Sequence, residues 1–376
     1  MSLDCGIVGL PNVGKSTLFT ALTKAPASAE NFPFCTINPN IGIVDLPDAR
    51  LDFLAATFSP ARVIPASVKF VDIAGLIKGA SSGEGLGNQF LANIRETACI
   101  AHVVRCFENE DIMHVRENAN TAAPIDPKAD IDTINFELAI ADLETIKKRE
   151  EKIVKASRAL GKEEEKKYAH WMSAVKKIKP ILEAGKCARL ADLTNEEKLA
   201  IYDMFLLTMK PTFYVCNIDE SSIEKGTNEY VEVVKKIARD ENSDAVVICG
   251  KFESDLAEIE NENEKKEFME SVGLHESGLA SLAHTAYNLM GLQTFFTAGK
   301  DECRAWTIHK GDLAPKAAGV IHTDFEKGFI KAEAYSIADL KTYGSETKIK
   351  EAGKYRVEGK EYVVQDGDIL FFKFNV

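Results

Sequence analysis

The run Gly9-Leu10-Pro11-Asn12-Val13-Gly14-Lys15-Ser16 constrains the fold of this chain more than any other segment. It has the GxxxxGKS pattern, follows a strand-like segment at 5–8, and opens a helical pattern at Lys15. The two glycines allow backbone N–H groups to curl around an anion at the start of that helix. The sequence therefore predicts a strand, a phosphate-binding loop and a helix within an α/β sheet.

The side chains of this loop have predicted roles in binding a nucleoside triphosphate. Lys15 is expected to reach the β and γ phosphates and to assist catalysis, and the Ser16 hydroxyl is expected to ligate Mg²⁺. The remaining predicted nucleotide-binding residues of the segment are Asn12, Val13, Gly14 and Thr17.

A second element, Asp72-Ile73-Ala74-Gly75, leaves the end of an apolar strand-like run. Asp72 is expected to hold the metal with its water shell, and Gly75 can approach the γ-phosphate. Thr36, in the loop before the second strand, is a candidate to complete the magnesium sphere. The alternative for Thr36 is an ordinary hydroxyl in a turn.

Short apolar runs alternate with helical patterns along most of the chain, which predicts a mainly parallel, doubly wound α/β sheet. The runs lie at 5–8, 42–44, 68–73, 100–107, 213–217 and 246–249. The alternation breaks between about 130 and 209, where the sequence is charged and helical. We therefore predict a nucleotide-binding domain at 1–129 and 210–290, interrupted by a helical insertion at 130–209.

The insertion has apolar stripes typical of an antiparallel helical hairpin with its tip near 159–162. The stripes are Tyr168, Trp171, Val175, Ile178 and Leu182, and Ile131, Ile134, Leu138 and Ala141. Its many lysines are interleaved with glutamates and are interpreted as a solvated surface. Such an arm is a hypothetical docking element.

The last part of the chain, 291–376, reads as a separate small α+β domain. Strand-like segments lie at 304–309, 331–336, 361–364 and 368–374. Asp366-Gly367 is interpreted as a hairpin-type turn between the last two of these segments.

Composition limits the functional classes. The net charge of −12 argues against a protein that coats nucleic acid indiscriminately, and nothing indicates DNA binding. No uncharged apolar run is long enough to cross a bilayer, and no leader pattern precedes the first strand, which together indicate the cytoplasm. The eight cysteines lack metal-site spacing and are interpreted mostly as reduced, buried thiols.

The spacing of these elements, with the glycine-rich stretch at 78–87, resembles the Obg subgroup of P-loop GTPases. With the insertion and the segments at 304–308 and 321–330, the whole chain looks like the YchF, or Obg-like ATPase, family. The resemblance implies a GTPase-type domain, a coiled-coil insertion and a C-terminal TGS domain of ubiquitin-like β-grasp fold. It also implies the ribosome as partner. In addition, Asn12 in the phosphate loop resembles potassium-stimulated members of the wider class, which suggests a K⁺ ion beside the phosphates.

The base-reading segment Asn217-Ile218-Asp219-Glu220 departs from the NKxD pattern of GTPases. Glu220 is one methylene longer than the expected aspartate, and Ile218 replaces the lysine, so the guanine contacts are not reproduced. Adenine presents the opposite donor and acceptor order to guanine on this edge. We therefore expect ATP to be preferred over GTP, with Asn217, Ile218 and Glu220 near the base and Asp219 in a turn. The resemblance adds Phe107 as a residue that packs on the base.

Ras-type GTPases use a glutamine directly after DxxG to position the attacking water. In this chain Leu76 occupies that position. The resemblance indicates His114 as a catalytic candidate, whereas a lone loop histidine is otherwise a solvated residue. We expect a slow ATPase whose nucleotide state reorders Thr36 and the loop at 79–87. The alternatives are a GTPase with a degenerate base motif and a ribosome- or RNA-binding module that nucleotide merely stabilises. Local RNA contacts would use Lys310, Lys316, Lys327 and Lys331.

Overall fold

The structure is a computed structural model that describes residues 3–25, 40–73, 86–109, 124–156 and 162–375. The chain folds into two compact units. The first contains residues 1–25, 39–42 and 69–282, and the second contains residues 26–38, 43–68 and 283–376. Each unit is described separately below.

The secondary structure of the described residues consists of the following strands and helices. The strands are β1 (Asp4–Val8), β2 (Ile41–Asp45), β3 (Arg62–Ile64), β4 (Ser67–Asp72), β5 (Cys99–Arg105), β6 (Thr212–Asn217), β7 (Ala245–Ile248), β8 (Leu292–Ala298), β9 (Glu302–His309), β10 (Phe329–Ser336), β11 (Arg356–Glu358) and β12 (Asp368–Phe374). The helices are α1 (Lys15–Lys24), α2 (Ala49–Phe58), α3 (Leu86–Glu96), α4 (Pro127–Ala156), α5 (Lys162–Glu183), α6 (Asn195–Ile201), α7 (Glu229–Asp240), α8 (Gly250–Leu256), α9 (Glu262–Ser271), α10 (Gly278–Leu289), α11 (Ala314–Ile321), α12 (Thr323–Lys327), α13 (Ile337–Tyr343) and α14 (Glu346–Glu351).

The first sheet has the strand order β2-β4-β1-β5-β6-β7. The four neighbouring pairs from β4 to β7 are parallel. Every residue of β5 and β6 is buried, as expected for central strands covered by helices on both faces. This confirms the predicted doubly wound α/β domain, and each predicted strand lies within two residues of its observed bounds.

The parallel strands end together at one edge of this sheet. Their register pairs Ile7 with Asp72, Val8 with His102, Arg105 with Asn217 and Asn217 with Ile248. The segments that follow β1, β4, β5, β6 and β7 therefore meet at this edge, which is where ligands bind in open α/β sheets.

The first half of α4 packs on the first sheet. The stripe Ile131, Ile134, Leu138 and Ala141 on α4 does not pack only within the hairpin. Ile134, Leu138 and Ala141 belong to a core cluster with Val8 and Ile100 of the sheet, because the first half of α4 lies against the sheet layer. This packing makes the insertion part of the first unit.

α4 also forms an antiparallel pair with α5. Lys179 Nζ approaches Glu150 at 3.5 Å, and Phe136 lies beside Gly185, so α5 runs back along α4. Ala139 and Ile146 share a core with the predicted stripe of α5, including Trp171, which confirms the helical hairpin. Of the predicted tip at 159–162, residues 159–161 lie outside the described residues, and α5 begins at Lys162.

A buried carboxylate joins the insertion to the segment that leads into β6. Asp142 on α4 accepts hydrogen bonds from the backbone N–H groups of Leu207 and Thr208, both at 2.8 Å, and from the Thr208 hydroxyl at 2.6 Å. Thr208 in turn accepts from the Ala188 N–H at 3.0 Å. Burial raises the pKa of Asp142 to about 6, although these donors counter the shift.

The second sheet has the order β11-β10-β12-β8-β9-β3. β9 and β8 are antiparallel, β8 and β12 are parallel, and β12, β10 and β11 are antiparallel. This arrangement, with α11 packed on one face, is that of a ubiquitin-like β-grasp domain. β3 adds a sixth strand in parallel to β9, and its short, exposed sequence at 62–64 gave no strand signal.

Two expectations for the last domain are wrong. Residues 361–364 form no strand beyond an isolated bridge between Leu313 and Val363. Asp366-Gly367 does not connect paired strands, because β12 pairs with β10 and β8 instead. The turn is held to β8, since Thr294 N–H donates to Asp366 at 3.0 Å and Gly367 N–H donates to the Thr294 carbonyl at 2.8 Å.

The predicted domain boundaries at 130, 210 and 291 remain a prediction, and the two compact units divide the chain elsewhere. In the parts of the chain that the structure describes, no helix combines the length and the apolar character that crossing a membrane requires.

Candidate nucleotide site

A cleft of about 820 Å³ lies at the carboxyl edge of the first sheet. One wall is the loop predicted to bind phosphates, and the other comes from the segments after β5, β6 and β7. The lining residues are Leu10, Pro11, Asn12, Gly14, Lys15, Ser16, Thr17, Phe107, Glu108, Asn109, Asn217, Ile218, Asp219, Glu220, Cys249 and Lys251. The described residues predicted to bind nucleotide thus lie together, with Val13 buried behind them.

The phosphate loop ends in a backbone that only glycine adopts easily. Gly14 precedes α1 with φ 88°, and any Cβ there would clash with the Asn217 amide nitrogen. Gly14 has no side chain to cap the first N–H groups of α1. These N–H groups and the positive end of the helix dipole therefore face the cleft and favour an anion.

Lys15 at the start of α1 and Asp72 at the end of β4 form an ion pair across the loop, which the sequence did not predict. Both side chains are mostly buried, with 11% and 23% of their surfaces exposed. The two opposite charges thus neutralise each other, which compensates both in their mostly buried setting.

The oxygen atoms near this pair fit a magnesium ion. Ser16 and Thr17 are in the first turn of α1 and line the cleft, and Asp72 supplies a carboxylate. Hydroxyl and carboxylate oxygens beside bound phosphate are the donors that Mg²⁺ prefers.

Asn217 joins the two walls of the cleft. Its amide nitrogen donates to the Val13 carbonyl at 2.9 Å, and its amide oxygen accepts from the Gly250 N–H at 3.0 Å. The side chain therefore holds the phosphate loop against the start of α8. The structure places Asn217 first as a support for the loop, with its predicted proximity to the base still untested.

Phe107 lies half-buried at the cleft, and a buried arginine lies against its ring. The Arg105 guanidinium is 4.7 Å from the ring centroid and donates to the carbonyls of Phe107 at 3.1 Å and Asn109 at 3.2 Å. Arg105 is 1% exposed, and burial lowers its pKa, against the opposing charge of Asp130 on α4. These contacts of Arg105 hold residues 107–109, which form part of the cleft wall after β5, in position.

The residues after β6 have different environments. Ile218 is buried in the core beneath the cleft. Asp219 caps a short 3-10 turn, where its carboxylate accepts from the Ser222 N–H at 3.1 Å. Glu220 is exposed, and the Lys251 ammonium at the start of α8 donates to its carboxylate at 2.6 Å.

Four predicted functional residues lie outside the described residues: Thr36, Gly75, Leu76 and His114. The same is true of most of the glycine-rich stretch at 78–87 and of Cys35. Their roles stay predictions.

Comparison with known proteins identifies the family. A relative from Haemophilus influenzae, named "Ribosome-binding ATPase YchF", is 52% identical over 376 residues, which is 100% of both chains. A relative of the same name from Bacillus subtilis is 48% identical over 377 residues, again covering 100% of both. The chain belongs to the YchF family. This confirms the resemblance seen in the sequence.

Family models and solved structures agree with this assignment. A model described as "50S ribosome-binding GTPase" matches residues 4–136, and a YchF C-terminal model described as "Protein of unknown function (DUF933)" matches 292–375. The solved YchF GTPase of Schizosaccharomyces pombe has a TM-score of 0.86 and 39% identity, covering 98% of this chain and 97% of that chain. A GTP binding protein from Pyrococcus horikoshii, with TM-score 0.59, 17% identity and coverage of 99% and 100%, is similar in fold alone.

Lys251, which lines the cleft of this YchF chain, and Arg105, which supports Phe107 there, are absent from the predicted site. Lys251 follows the strand-like run at 246–249, so its place at the carboxyl end of a parallel strand was a usable signal. Arg105 is a single cation within an apolar run, which indicates a buried, partnered charge.

The cysteines of this YchF chain do not form a chemical cluster in its described part. Cys5, Cys99, Cys106, Cys187, Cys216, Cys249 and Cys303 are free and buried. Burial raises the thiol pKa of Cys249 at the cleft, which disfavours the reactive thiolate. No group of three or more potential metal ligands occurs among the residues described.

Proposed function

We propose that this chain is a slow, magnesium-dependent ATPase whose nucleotide state controls its binding to the ribosome. The observation that carries the proposal is a cleft lined by Lys15 and the uncapped N-terminus of α1, with Asp72 paired to Lys15. This arrangement suits a ligand that brings both a polyanion and a divalent cation, as a nucleoside triphosphate with Mg²⁺ does.

In this proposal, the Lys15–Asp72 pair opens when nucleotide enters. The Lys15 ammonium turns to the β and γ phosphates and stabilises negative charge during transfer of the γ-phosphoryl group to water. Asp72 and the Ser16 hydroxyl, with Thr36 as the proposed additional ligand, would hold Mg²⁺, which would offset phosphate charge. The N–H groups of the 9–16 loop surround the β-phosphate, and Gly75 approaches the γ-phosphate.

The base end is proposed to favour adenine. Ile218 offers an aliphatic surface where GTPases have lysine, and Phe107 offers an aromatic one. Glu220 lines the cleft beside Lys251, so the edge presented to the base contains a donor as well as an acceptor. Adenine has one of each at N6 and N1, whereas guanine has two donors at N1 and N2.

Turnover is proposed to be slow because Leu76 cannot orient the attacking water. His114 is the proposed alternative for that role.

Potassium is proposed as an activator beside Asn12, which is exposed in the phosphate loop. A comparison of turnover in potassium and sodium salts tests this part separately.

The ribosome is proposed as partner because relatives across the full length are named ribosome-binding ATPases. The cytoplasm is the proposed location. The acidic overall charge requires any RNA contact to be local, and the proposed basic set is Lys310, Lys316, Lys327 and Lys331.

The test combines hydrolysis with cosedimentation. We expect the purified chain to release phosphate from ATP with Mg²⁺ and not with EDTA. Its cosedimentation with ribosomes should differ among ATP, ADP and a non-hydrolysable ATP analogue. Equal ribosome binding in all three states would contradict the regulatory part and favour a module that nucleotide only stabilises.

A GTPase is the second candidate, because the Schizosaccharomyces pombe structure is titled a GTPase and the N-terminal family model describes one. Faster turnover and tighter binding of GTP than of ATP would support it. The two candidates share the phosphate end of the cleft and differ only at the base end.

A further inference from the structure

An ion pair between two sheet segments lies at the base end of the cleft. Lys251 Nζ is 2.6 Å from Glu220 Oε2, and the side chains are 67% and 53% exposed. Glu220 opens the turn after β6, and Lys251 lies in the first turn of α8 after β7. Because β6 and β7 are neighbours in register, their carboxyl ends bring the two side chains together.

This pair can rearrange around a ligand at little energetic cost. Exposed ion pairs contribute little to stability, because water solvates both charges and screens their attraction. The hydrogen bond with Glu220 raises the pKa of Lys251, so the ammonium keeps its charge at neutral pH. An ammonium has three donors and a carboxylate about four acceptor positions, so each retains capacity for a base.

We infer that Lys251 is a base-selectivity residue that acts with Glu220 to favour adenine. Side by side, the two groups present one acceptor for the N6 amino group and one donor for N1 of adenine. This inference rests on the proposed ATPase function and assigns a role at the same site to a residue outside the NKxD position.

Removal of Lys251 should shift the selectivity toward guanine. Glu220 alone has acceptors only, which match the N1 and N2 donors of guanine and repel N1 of adenine. A lysine that contacted ribose or phosphate instead would affect ATP and GTP equally, because those groups are common to both nucleotides. The ratio of the two dissociation constants therefore separates these roles.

The primary experiment measures ATP and GTP dissociation constants for the full chain and for Lys251→Met. We expect the preference for ATP over GTP to fall about tenfold in the variant, a typical value for one bidentate base contact. Lys235→Met is the matched control, since Lys235 forms an ion pair with Glu232 at 3.4 Å on α7 and does not line the cleft. The control should keep the wild-type ratio.

A double variant and an altered nucleotide make the test specific. In Glu220→Gln/Lys251→Met, the amide supplies one acceptor and one donor, so we expect the adenine preference to return to within about threefold of wild type. 1-Deaza-ATP has carbon in place of N1. It should bind the wild type about tenfold more weakly than ATP, but bind Lys251→Met nearly as well as ATP does.

Two results would overturn the inference: an unchanged ATP to GTP ratio in Lys251→Met, which includes equal weakening of both nucleotides, or an equal 1-deaza effect in both proteins. If the proposed ATPase function itself were wrong, the wild type would bind no ATP or would prefer GTP. That result is distinguishable from failure of the Lys251 inference, which concerns the variants. Circular dichroism, together with retained binding of ATP or GTP through their common triphosphate group, shows whether each variant is folded.

Discussion

The two ends of the cleft are built in different ways. At the phosphate end, one contiguous loop supplies backbone N–H groups, and its ion pair, Lys15–Asp72, is mostly buried. At the base end, separate segments after β5, β6 and β7 supply side chains, and the ion pair Glu220–Lys251 is mostly exposed. In our proposal, recognition common to all nucleotides depends on the constrained backbone, and base discrimination depends on exposed side chains that can exchange partners.

The ends are nevertheless connected. Asn217 binds Val13 in the phosphate loop and Gly250 beside Lys251, and β5 carries Arg105 beneath Phe107. Substitutions at the phosphate end should therefore affect ATP and GTP alike, substitutions at the base end should separate them, and the connecting residues should affect stability as well.

The largest decrease in turnover is expected from substitution of Lys15. Lys15→Met should lower turnover of ATP and of GTP by at least about 100-fold, because it removes the cation aimed at the transferring phosphoryl group. Phosphate release under saturating nucleotide measures this. Lys24→Met is the control, since Lys24 lies on the same helix in an exposed pair with Glu258 at 2.8 Å. A loss confined to one nucleotide would contradict the distinction between the ends.

Asn217→Ala tests the connection between the ends. It leaves the Gly250 N–H and the Val13 carbonyl without their partner, and we expect a loss of about 1–3 kcal/mol in the free energy of unfolding. ATP and GTP binding should weaken to the same extent. Denaturant unfolding and calorimetric titration measure the two effects, with Asn263→Ala on exposed α9 as control. A change in the ATP to GTP ratio alone would show that Asn217 reads the base instead.

His102 gives a pH test of the strands that support the base end. It is buried on β5 beside Tyr214 of β6, and burial, aided by Arg189, lowers its pKa to about 3. The unfolded chain binds the proton near pH 6.5 and the folded chain does not, so stability falls as pH decreases below 6.5. Between pH 7 and pH 5, the wild type should lose about 2 kcal/mol more than His102→Phe. Denaturation series at both pH values should show this, and parallel pH profiles would refute it.

The smallest change, a moderate increase in KM for ATP, is expected from substitution of Arg105. Arg105→Lys keeps the charge but cannot make the same planar contacts with Phe107 and the 107–109 loop. We expect KM for ATP to increase about fivefold with kcat nearly unchanged, since the loss affects binding more than chemistry. A decrease in kcat without a change in KM would instead place Arg105 in the hydrolytic step.

The same contrast explains what could be predicted from the sequence. Lys15 and Asp72 were predictable because one local pattern and one strand end specify them. Lys251 was missed because its partner Glu220 is distant in sequence and becomes adjacent only through the pairing of β6 and β7. β3 was missed because its place in the second sheet depends on pairing with β9, and Asp366-Gly367 was misread because its contacts are with β8.

We propose that this member of the YchF family combines a general phosphate site with an adenine-selective base site. The most direct test is the dissociation constant of the wild-type chain for ATP and for GTP, measured side by side with Mg²⁺ by calorimetry. We predict that ATP binds at least about tenfold more tightly. Equal affinities, or tighter binding of GTP, would contradict the claim.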